Sequence, residues 1–292
     1  MKANIGYSLG RHNKPSSLYK ETVALLRQHR IFPRKRFGQN FAVDDSLLRS
    51  MIAYADVRTK DVVLEIGAGL GFLTRLLSPV SKEVITVEID RKLIPILRTQ
   101  LAGLKNVNLI EGDVLASEIE HFDKVVSTPP YSISSPLLFW LLDKSFKVTV
   151  LTFQEEFARR LTAAVGTRDY SRLTVAAYYR ADMELLEHVP RTAFYPPPDV
   201  DSTIVRLKPK PVPFKVKDEE AFFELVRTVF TQRNKKLRNA VKPFLSKHGV
   251  AREKARELAD SLTFHEKRVR ELAPEDFGAL TDEILEKESL LR

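Results

Sequence analysis

Residues 62–72 read Val62-Val63-Leu64-Glu65-Ile66-Gly67-Ala68-Gly69-Leu70-Gly71-Phe72. The first five are mostly apolar and rich in β-branched side chains, a run of the length and composition of a buried strand. Three glycines follow at alternate positions, and a short helical pattern over 72–77 follows them. Glycine between a strand and a helix accepts tight-turn dihedrals and lets the backbone approach a ligand. The spacing is G-x-G-x-G, not the G-x-G-x-x-G of dinucleotide sites, and an acidic residue stands just before it.

The alternation continues in the C-terminal direction. Residues 84–87 read as a second buried strand, followed by a helix near 91–103. Residues 107–110, 124–126 and 147–153 read as three more strands. Strands alternating with helices predict an α/β fold with a doubly wound, mostly parallel sheet. Residues 171–180 and 203–207 are expected as later strands on its edge. In the other direction, 16–30 predicts an amphipathic helix that starts at Ser16 and stops before Pro33. Asp45 or Ser46 is expected to cap the next helix, over 46–55. Beyond Pro209, Pro211 and Pro213, an expected extended linker, only helical patterns appear, at 218–230, 233–245, 251–261, 266–272 and 275–288. The expected organisation is a basic helical extension (1–33), an α/β domain (34–208) and a small all-helical domain (209–292).

The chain has 292 residues and no cysteine, which excludes disulfides, zinc–thiolate sites and thiol catalysis. The six histidines are scattered, and no metal site is expected. There is no run of about 18 apolar residues, so no membrane span is expected. The first thirty residues lack the apolar core and small-residue cleavage site of a secretory signal. The net charge of +9 is uneven. Residues 1–40 hold nine basic and one acidic side chain, 41–205 hold 18 and 22, and 206–292 hold 20 and 15. An acidic middle between two basic ends suggests a polyanion, nucleic acid above all, gripped on either side of a site.

Two acids sharpen the middle. Glu88 ends the second predicted strand, where both ribose hydroxyls of a nucleoside can donate to one carboxylate. Asp113 follows the third, where a carboxylate can accept from an adenine amino group. With the glycine turn, these features lie at the carboxyl ends of successive strands and line one crevice. They favour an adenosine-containing ligand and resemble the class I S-adenosylmethionine-dependent methyltransferases. After the fourth strand comes Ser127-Thr128-Pro129-Pro130-Tyr131. It resembles the (Asn/Asp/Ser)-x-Pro-(Tyr/Phe) loop of enzymes that methylate exocyclic amines of bases. Such an amine is a poor nucleophile because its lone pair is delocalised into the ring. Two acceptors, one side chain and one backbone carbonyl, can orient it while an aromatic ring stacks on the flipped base.

The chain as a whole resembles the KsgA/Dim class of ribosomal RNA adenine N6-dimethyltransferases, relatives of the Erm enzymes. Phe37-Gly38-Gln39-Asn40-Phe41-Ala42-Val43-Asp44 is similar to that family's G-Q-N-F-L-x-D segment. Residues 194–202 resemble its F-x-P-x-P-x-V-x-S signature, and Phe230-x-Gln232-Arg233-x-Lys235 its F-x-x-R-(R/N)-K motif. The resemblance runs from about 31 to 275. It implies a seven-stranded methyltransferase sheet with a C-terminal helical domain, S-adenosyl-L-methionine as cofactor, and adenosines near the 3′ end of small-subunit ribosomal RNA, or the pre-ribosomal small subunit, as substrate. It implies that Asn40, the Ala42 backbone, Gly67 and Gly69 touch the cofactor, with Glu88 on its ribose and Asp113 on its adenine. Thr128, which also borders the cofactor, Pro129 and Tyr131 would hold the target base, and Phe194 would form the opposite wall. Arg34, Lys35 and Arg36 on one side, and Arg233, Lys235, Lys236 and Arg238 on the other, are the expected RNA contacts. The expected molecule is a cytoplasmic, metal-free monomer acting in ribosome biogenesis. Two positions depart from the family pattern: Ala42 stands for the usual Leu and Thr128 for the usual Asn. Thr128 leaves open an RNA-binding assembly factor with little or no methyl transfer, and the Erm kinship leaves open a large-subunit enzyme.

Overall fold

The computed structural model describes residues 16–34 and 38–289. The elements run α1 (Ser17–Gln28), β1 (Phe41–Ala42), α2 (Asp45–Tyr54), β2 (Val62–Ile66), α3 (Phe72–Leu77), β3 (Glu83–Glu88), α4 (Ile94–Leu101), β4 (Val107–Glu111), β5 (Lys124–Ser127), α5 (Ser134–Leu142), β6 (Val148–Gln154), α6 (Glu155–Leu161), α7 (Arg172–Arg180), β7 (Ala181–Val189), β8 (Phe194–Tyr195) and β9 (Ser202–Pro209). The helical region follows with α8 (Glu219–Val229), α9 (Leu237–Ala240), α10 (Lys242–Lys247), α11 (Arg252–Ser261) and α12 (Pro274–Ser289).

Seven strands form one sheet in the order β4-β3-β2-β5-β6-β9-β7. The first five are parallel; β9 and β7 complete it with antiparallel pairings. The chain leaves β2 outward through β3 and β4, then returns to the other side of β2 with β5. That reversal opens a crevice at the carboxyl ends of β2 and β5, the place where open α/β sheets bind ligands. Every residue of β2 is buried, because the sheet is covered on both faces. Val63, Val84, Val126 and Val150 face one core with α2, α3 and α4. Leu64, Ile85, Val125 and Leu151 face a second with α5, α6 and α7.

Helix α1 belongs to the first core through Leu26, with Ile31 just beyond it. The Ser16 side chain caps α1 by accepting from the Tyr19 N–H and donates its own proton to the Val43 carbonyl. Arg75 on α3 pairs with Glu21 at 2.9 Å. Residues 1–15 of the expected basic extension lie outside the described residues.

Four local expectations are corrected. The cap of α2 is Asp44, whose carboxylate accepts from the Ser46 and Leu47 N–H groups, rather than Asp45 or Ser46. Residues 172–180, expected as a strand, form α7, and the edge strand is 181–189. Leu173, Thr174, Val175, Ala176, Ala177 and Tyr179 are all buried and Tyr178 is exposed, so five consecutive buried residues leave α7 without an amphipathic stripe. The Ser171 N–H donates to Thr174 Oγ1 at its start. The helix expected over 233–245 breaks into α9 and α10 at Pro243, which sits in the first turn of α10 and cannot continue an existing one. Of 266–272, only 269–271 makes a single 3-10 turn.

The proline-rich segment expected as an extended linker begins inside β9, which ends at Pro209, bends at 213–214 and 217, and is docked. Phe214 packs 5.0 Å from the Tyr179 ring and 5.8 Å from that of Phe222. Its other edge meets Gly278 on α12, where an added Cβ would stand 2.5 Å from the ring. Glycine to alanine in a helix ordinarily gains about 1 kcal/mol, but overpacking a fixed ring costs about 1–3 kcal/mol. Gly278→Ala is therefore expected to lower the chemical denaturation midpoint, and a Phe214→Leu partner change should recover part of the loss.

Candidate active site

Gly67, Gly69 and Gly71 have φ of +79°, +59° and +82°, the left-handed region that favours glycine. At Gly67 an added Cβ would lie 3.3 Å from the Pro130 ring, and at Gly69 3.2 Å from the Phe41 ring. The turn is thus hemmed by two other segments: the loop after β5 and the strand β1. Between them lies a cavity of about 280 Å³ lined by Asn40, Gly67, Gly69, Glu88, Asp113 and Thr128, among others.

Glu88 is buried, and its carboxylate is held at both oxygens. The Gly69 N–H donates to Oε2 at 2.9 Å, and the Asp90 N–H to Oε1 at 2.8 Å. Burial pushes its pKa up, while these N–H groups pull it back down. Asp113 is exposed at the far end of the cavity and accepts from the Leu115 N–H. The Gly112 N–H donates to the Glu88 carbonyl, which locks the ends of β3 and β4 together. Ile89, 47% exposed, presents an apolar side chain to the same cavity.

Ser127 donates to the Ile66 carbonyl at 2.5 Å and fixes the start of the next loop. Thr128 is half-buried on the cavity wall, and Pro129 is buried behind it. The Tyr131 hydroxyl bonds Ser202 Oγ at 2.5 Å, and its ring stands edge-on to Phe194 with centroids 6.3 Å apart. Burial pushes the Tyr131 pKa up to about 12, so the phenol stays neutral at ordinary pH. Phe194 is placed by a two-residue antiparallel ladder in which Ala42 pairs with Phe194 and Phe41 with Tyr195. The Val43 N–H extends it by donating to the Ala193 carbonyl. Thr128 thus lines the cavity, whereas Pro129, Tyr131 and Phe194 are not among its lining residues and are linked to it through the loop after β5 and the β1–β8 ladder.

The comparisons with known proteins fit this geometry. A family model described as ribosomal RNA adenine dimethylase matches residues 32–275. The chain belongs to that family. It is 42% identical to a probable ribosomal RNA small subunit methyltransferase A of Methanosarcina acetivorans, covering 87% of this chain and 94% of the relative. The corresponding protein of Thermococcus kodakarensis is 38% identical over 92% of this chain and 95% of its own. Among solved structures, a dimethyladenosine transferase from Plasmodium falciparum superposes with a TM-score of 0.70 at 31% identity, covering 85% of this chain and 98% of that one. The 23S rRNA methyltransferase ErmE gives 0.61 at 28%, covering 84% and 99%. The seven-stranded sheet with its helical appendage is the architecture of this adenine dimethylase family.

Not every sequence-predicted residue joins the cavity. Arg34 is half-buried and ion-paired with Asp90 at 3.0 Å; Lys35 and Arg36 lie outside the described residues. In the helical domain, Lys236 and Arg238 both pair with Glu266. Arg233 donates to the Thr167 carbonyl at 3.0 Å, and Lys235 is exposed. Among the described residues, no group of three or more His, Asp or Glu side chains could hold a metal, and no helix is long and apolar enough to cross a membrane.

Ile89 and Asp90, at or near the cavity, carried no sequence signal of their own, and Gln39 stood only inside the segment similar to G-Q-N-F-L-x-D. The only hint for Glu65 was its place in an otherwise apolar strand. Its side chain is fully buried, and Thr74 and Thr86 both donate to Oε2, at 2.5 and 2.8 Å. Burial pushes its pKa to about 8 against those hydrogen bonds. The folded state therefore holds a proton that the unfolded state releases above about pH 4.5, and this group's contribution to stability falls as pH rises from there to about 8. At about 1.4 kcal/mol per pKa unit, wild type should lose a few kcal/mol over that window relative to Glu65→Gln. Thermal unfolding of both proteins between pH 5 and 8.5 measures the difference.

Proposed function

We propose that this chain transfers methyl groups from S-adenosyl-L-methionine to the N6-amino groups of adenosines, two neighbouring ones near the 3′ end of small-subunit ribosomal RNA, during small-subunit biogenesis in the cytoplasm. The observation that supports the reading is Thr128 in the wall of the Gly67–Glu88–Asp113 cavity, with Tyr131 three residues on and its ring edge-to-face with Phe194. The small-subunit assignment follows the names of the relatives most like the chain over nearly its full length.

The residues present fit the cofactor. Glu88 retains lone pairs toward the cavity while two N–H groups fix its orientation, as a ribose diol requires. Ile89 and Val114 offer apolar surface for an adenine ring, with Asp113 at its amino edge. Gly67 and Gly69 leave the backbone bare where the methionine portion would pass. When bound, the cofactor supplies an electrophilic methyl group. The protein's contribution is alignment, because a misplacement of about 1 Å can cost on the order of 10²-fold in rate. The Thr128 hydroxyl and the Pro129 carbonyl are the acceptors for the target amine. Tyr131, tied to Ser202, gives the base a fixed face to stack on, and Phe194 closes the pocket from β8. The methylated amine becomes acidic, so its proton can leave to water without a strong base.

The decisive assay mixes the protein, radiolabelled cofactor and immature small subunits, then maps the label. Label on adenine N6 of the small-subunit RNA is expected; label confined to large-subunit RNA, or no label, overturns the reading.

Thr128 offers a rotating hydroxyl where the family pattern has a longer, planar amide. Thr128→Asn is expected to raise the single-turnover rate by about tenfold, equivalent to ~1.4 kcal/mol of transition-state stabilisation. Cofactor affinity should change little, because Glu88 and Asp113 carry the adenosine.

RNA binding is assigned to the two basic ends. Lys236 and Arg238 share one carboxylate, so their charge is partly spent within the protein. Arg233→Ala with Lys235→Ala should therefore weaken RNA binding more than Lys236→Ala with Arg238→Ala. It should also flatten the dependence of log affinity on log salt by about 0.7 per lost phosphate contact on single-stranded RNA. Filter binding across a salt series reads both quantities.

A further inference from the structure

Asp90 is buried two residues beyond Glu88, and every hydrogen bond of its carboxylate goes to a segment that borders the cavity. Oδ1 accepts from Arg34 Nη2 and from the Lys92 N–H, each at 3.0 Å. Oδ2 accepts from Gln39 Nε2 at 2.7 Å. Arg34 and Gln39 are themselves braced, since the Arg34 N–H donates to Gln39 Oε1 at 2.8 Å. The Asp90 N–H is the group that holds Glu88 Oε1. One residue thus joins the carboxylate assigned to the ribose with the entry of the strap that carries Asn40, Phe41 and Ala42.

That strap touches both halves of the site. Gly38 lies against Pro130 and Ser132, where an added Cβ would stand 3.2 and 3.3 Å away. Two residues on, Asn40 and Phe41 line the cavity. Phe41 and Ala42 then pair with Tyr195 and Phe194, the wall of the base pocket. A two-residue ladder has few bonds of its own, and its place depends on what fixes the strap at its other end. The side chain of Asp90 is 3% exposed and that of Arg34 24%. A carboxylate so shielded is costly to leave unpaired, so the pair resists opening.

We infer that Asp90 is a positioning residue that sets the strap against Glu88 and, through the β1–β8 ladder, sets Phe194 against the target base. Arg34 is its counter-ion and not a phosphate contact. The inference rests on the cofactor reading given above for the cavity.

The test uses the full-length chain. Asp90→Asn keeps the size of the side chain and an acceptor for the Lys92 N–H, and removes the charge. Calorimetry with S-adenosylmethionine should show about tenfold weaker binding, and the KM for RNA should rise while kcat at saturation falls less. Arg34→Ala should reproduce the effect and Arg34→Lys should restore part of it. The Arg34→Ala/Asp90→Asn double variant should be no worse than either single one, because both remove the same interaction. Amide exchange at Val43 should quicken in Asp90→Asn, as the strap loses its anchor. The inference falls if Asp90→Asn binds the cofactor like wild type. It also falls if Arg34→Ala leaves cofactor affinity intact and instead weakens RNA binding with a shallower salt slope. Wild type that binds no cofactor would overturn the functional reading alone. The Val43 exchange comparison would then decide the anchoring role, with unchanged protection in Asp90→Asn counting against it.

Discussion

No Cβ fits without crowding at Gly67 or Gly69, and the site depends on that fact. The turn after β2 is approached from one side by the Pro130 ring and from the other by Phe41. Those two contacts bring three distant stretches of chain together: the glycine turn, the loop that bears Thr128 and Tyr131, and the strap that pairs with Phe194. A side chain at either glycine would push a neighbouring segment outward by a few tenths of an ångström and would also strain a left-handed backbone. Groups meant to orient a weak nucleophile tolerate little such displacement. The glycines therefore let these three segments meet, whatever contact they make with a ligand themselves.

Around that turn the protein satisfies three buried carboxylates in three ways. Glu65 is held by two threonine hydroxyls and carries a proton near neutral pH. Glu88 is oriented by two backbone N–H groups. Asp90 is as buried as Glu65 and is ion-paired, whereas Asp113 is exposed. On the reading proposed above, Glu88 and Asp113 are the two left to accept from a nucleoside.

Much of this was legible because it follows local rules. The β2 run and its glycines are continuous in sequence, and the positions of Glu88 and Asp113 follow from strand ends in a doubly wound sheet. What escaped was non-local. Helix α7 shows no polar stripe because residues 173–177 are all buried, so its Val175 and Tyr179 read as strand residues. Arg34 reads as part of a basic run until the fold sets a buried carboxylate 56 positions away beside it. Lys236 and Arg238 look like free cations until Glu266, on the far side of α10 and α11 in the chain, folds between them. Charge in a sequence gives the sum; pairing decides how much of it is left for a partner.

The buried residues of α7 also tie the helical region to the sheet. Leu173 and Ala176 pack into the core under the sheet, while Val175 and Tyr179 pack into the core of the helical region. One rigid helix is therefore common to both cores, and Tyr179 further holds Phe214 of the linker. The loop just before α7 carries the connection on. The Gly166 N–H donates to the Arg270 carbonyl, the Arg270 N–H to the Arg233 carbonyl, and Arg233 returns a side-chain bond to Thr167. The loop leading into α7 is thereby tied to Arg233 and Arg270 of the helical region. The basic end of the chain does not hang from a flexible linker. It is tied to the sheet through α7 and the loop before it, so on the reading proposed above a polyanion seated on Arg233 and Lys235 would reach the pocket from one direction.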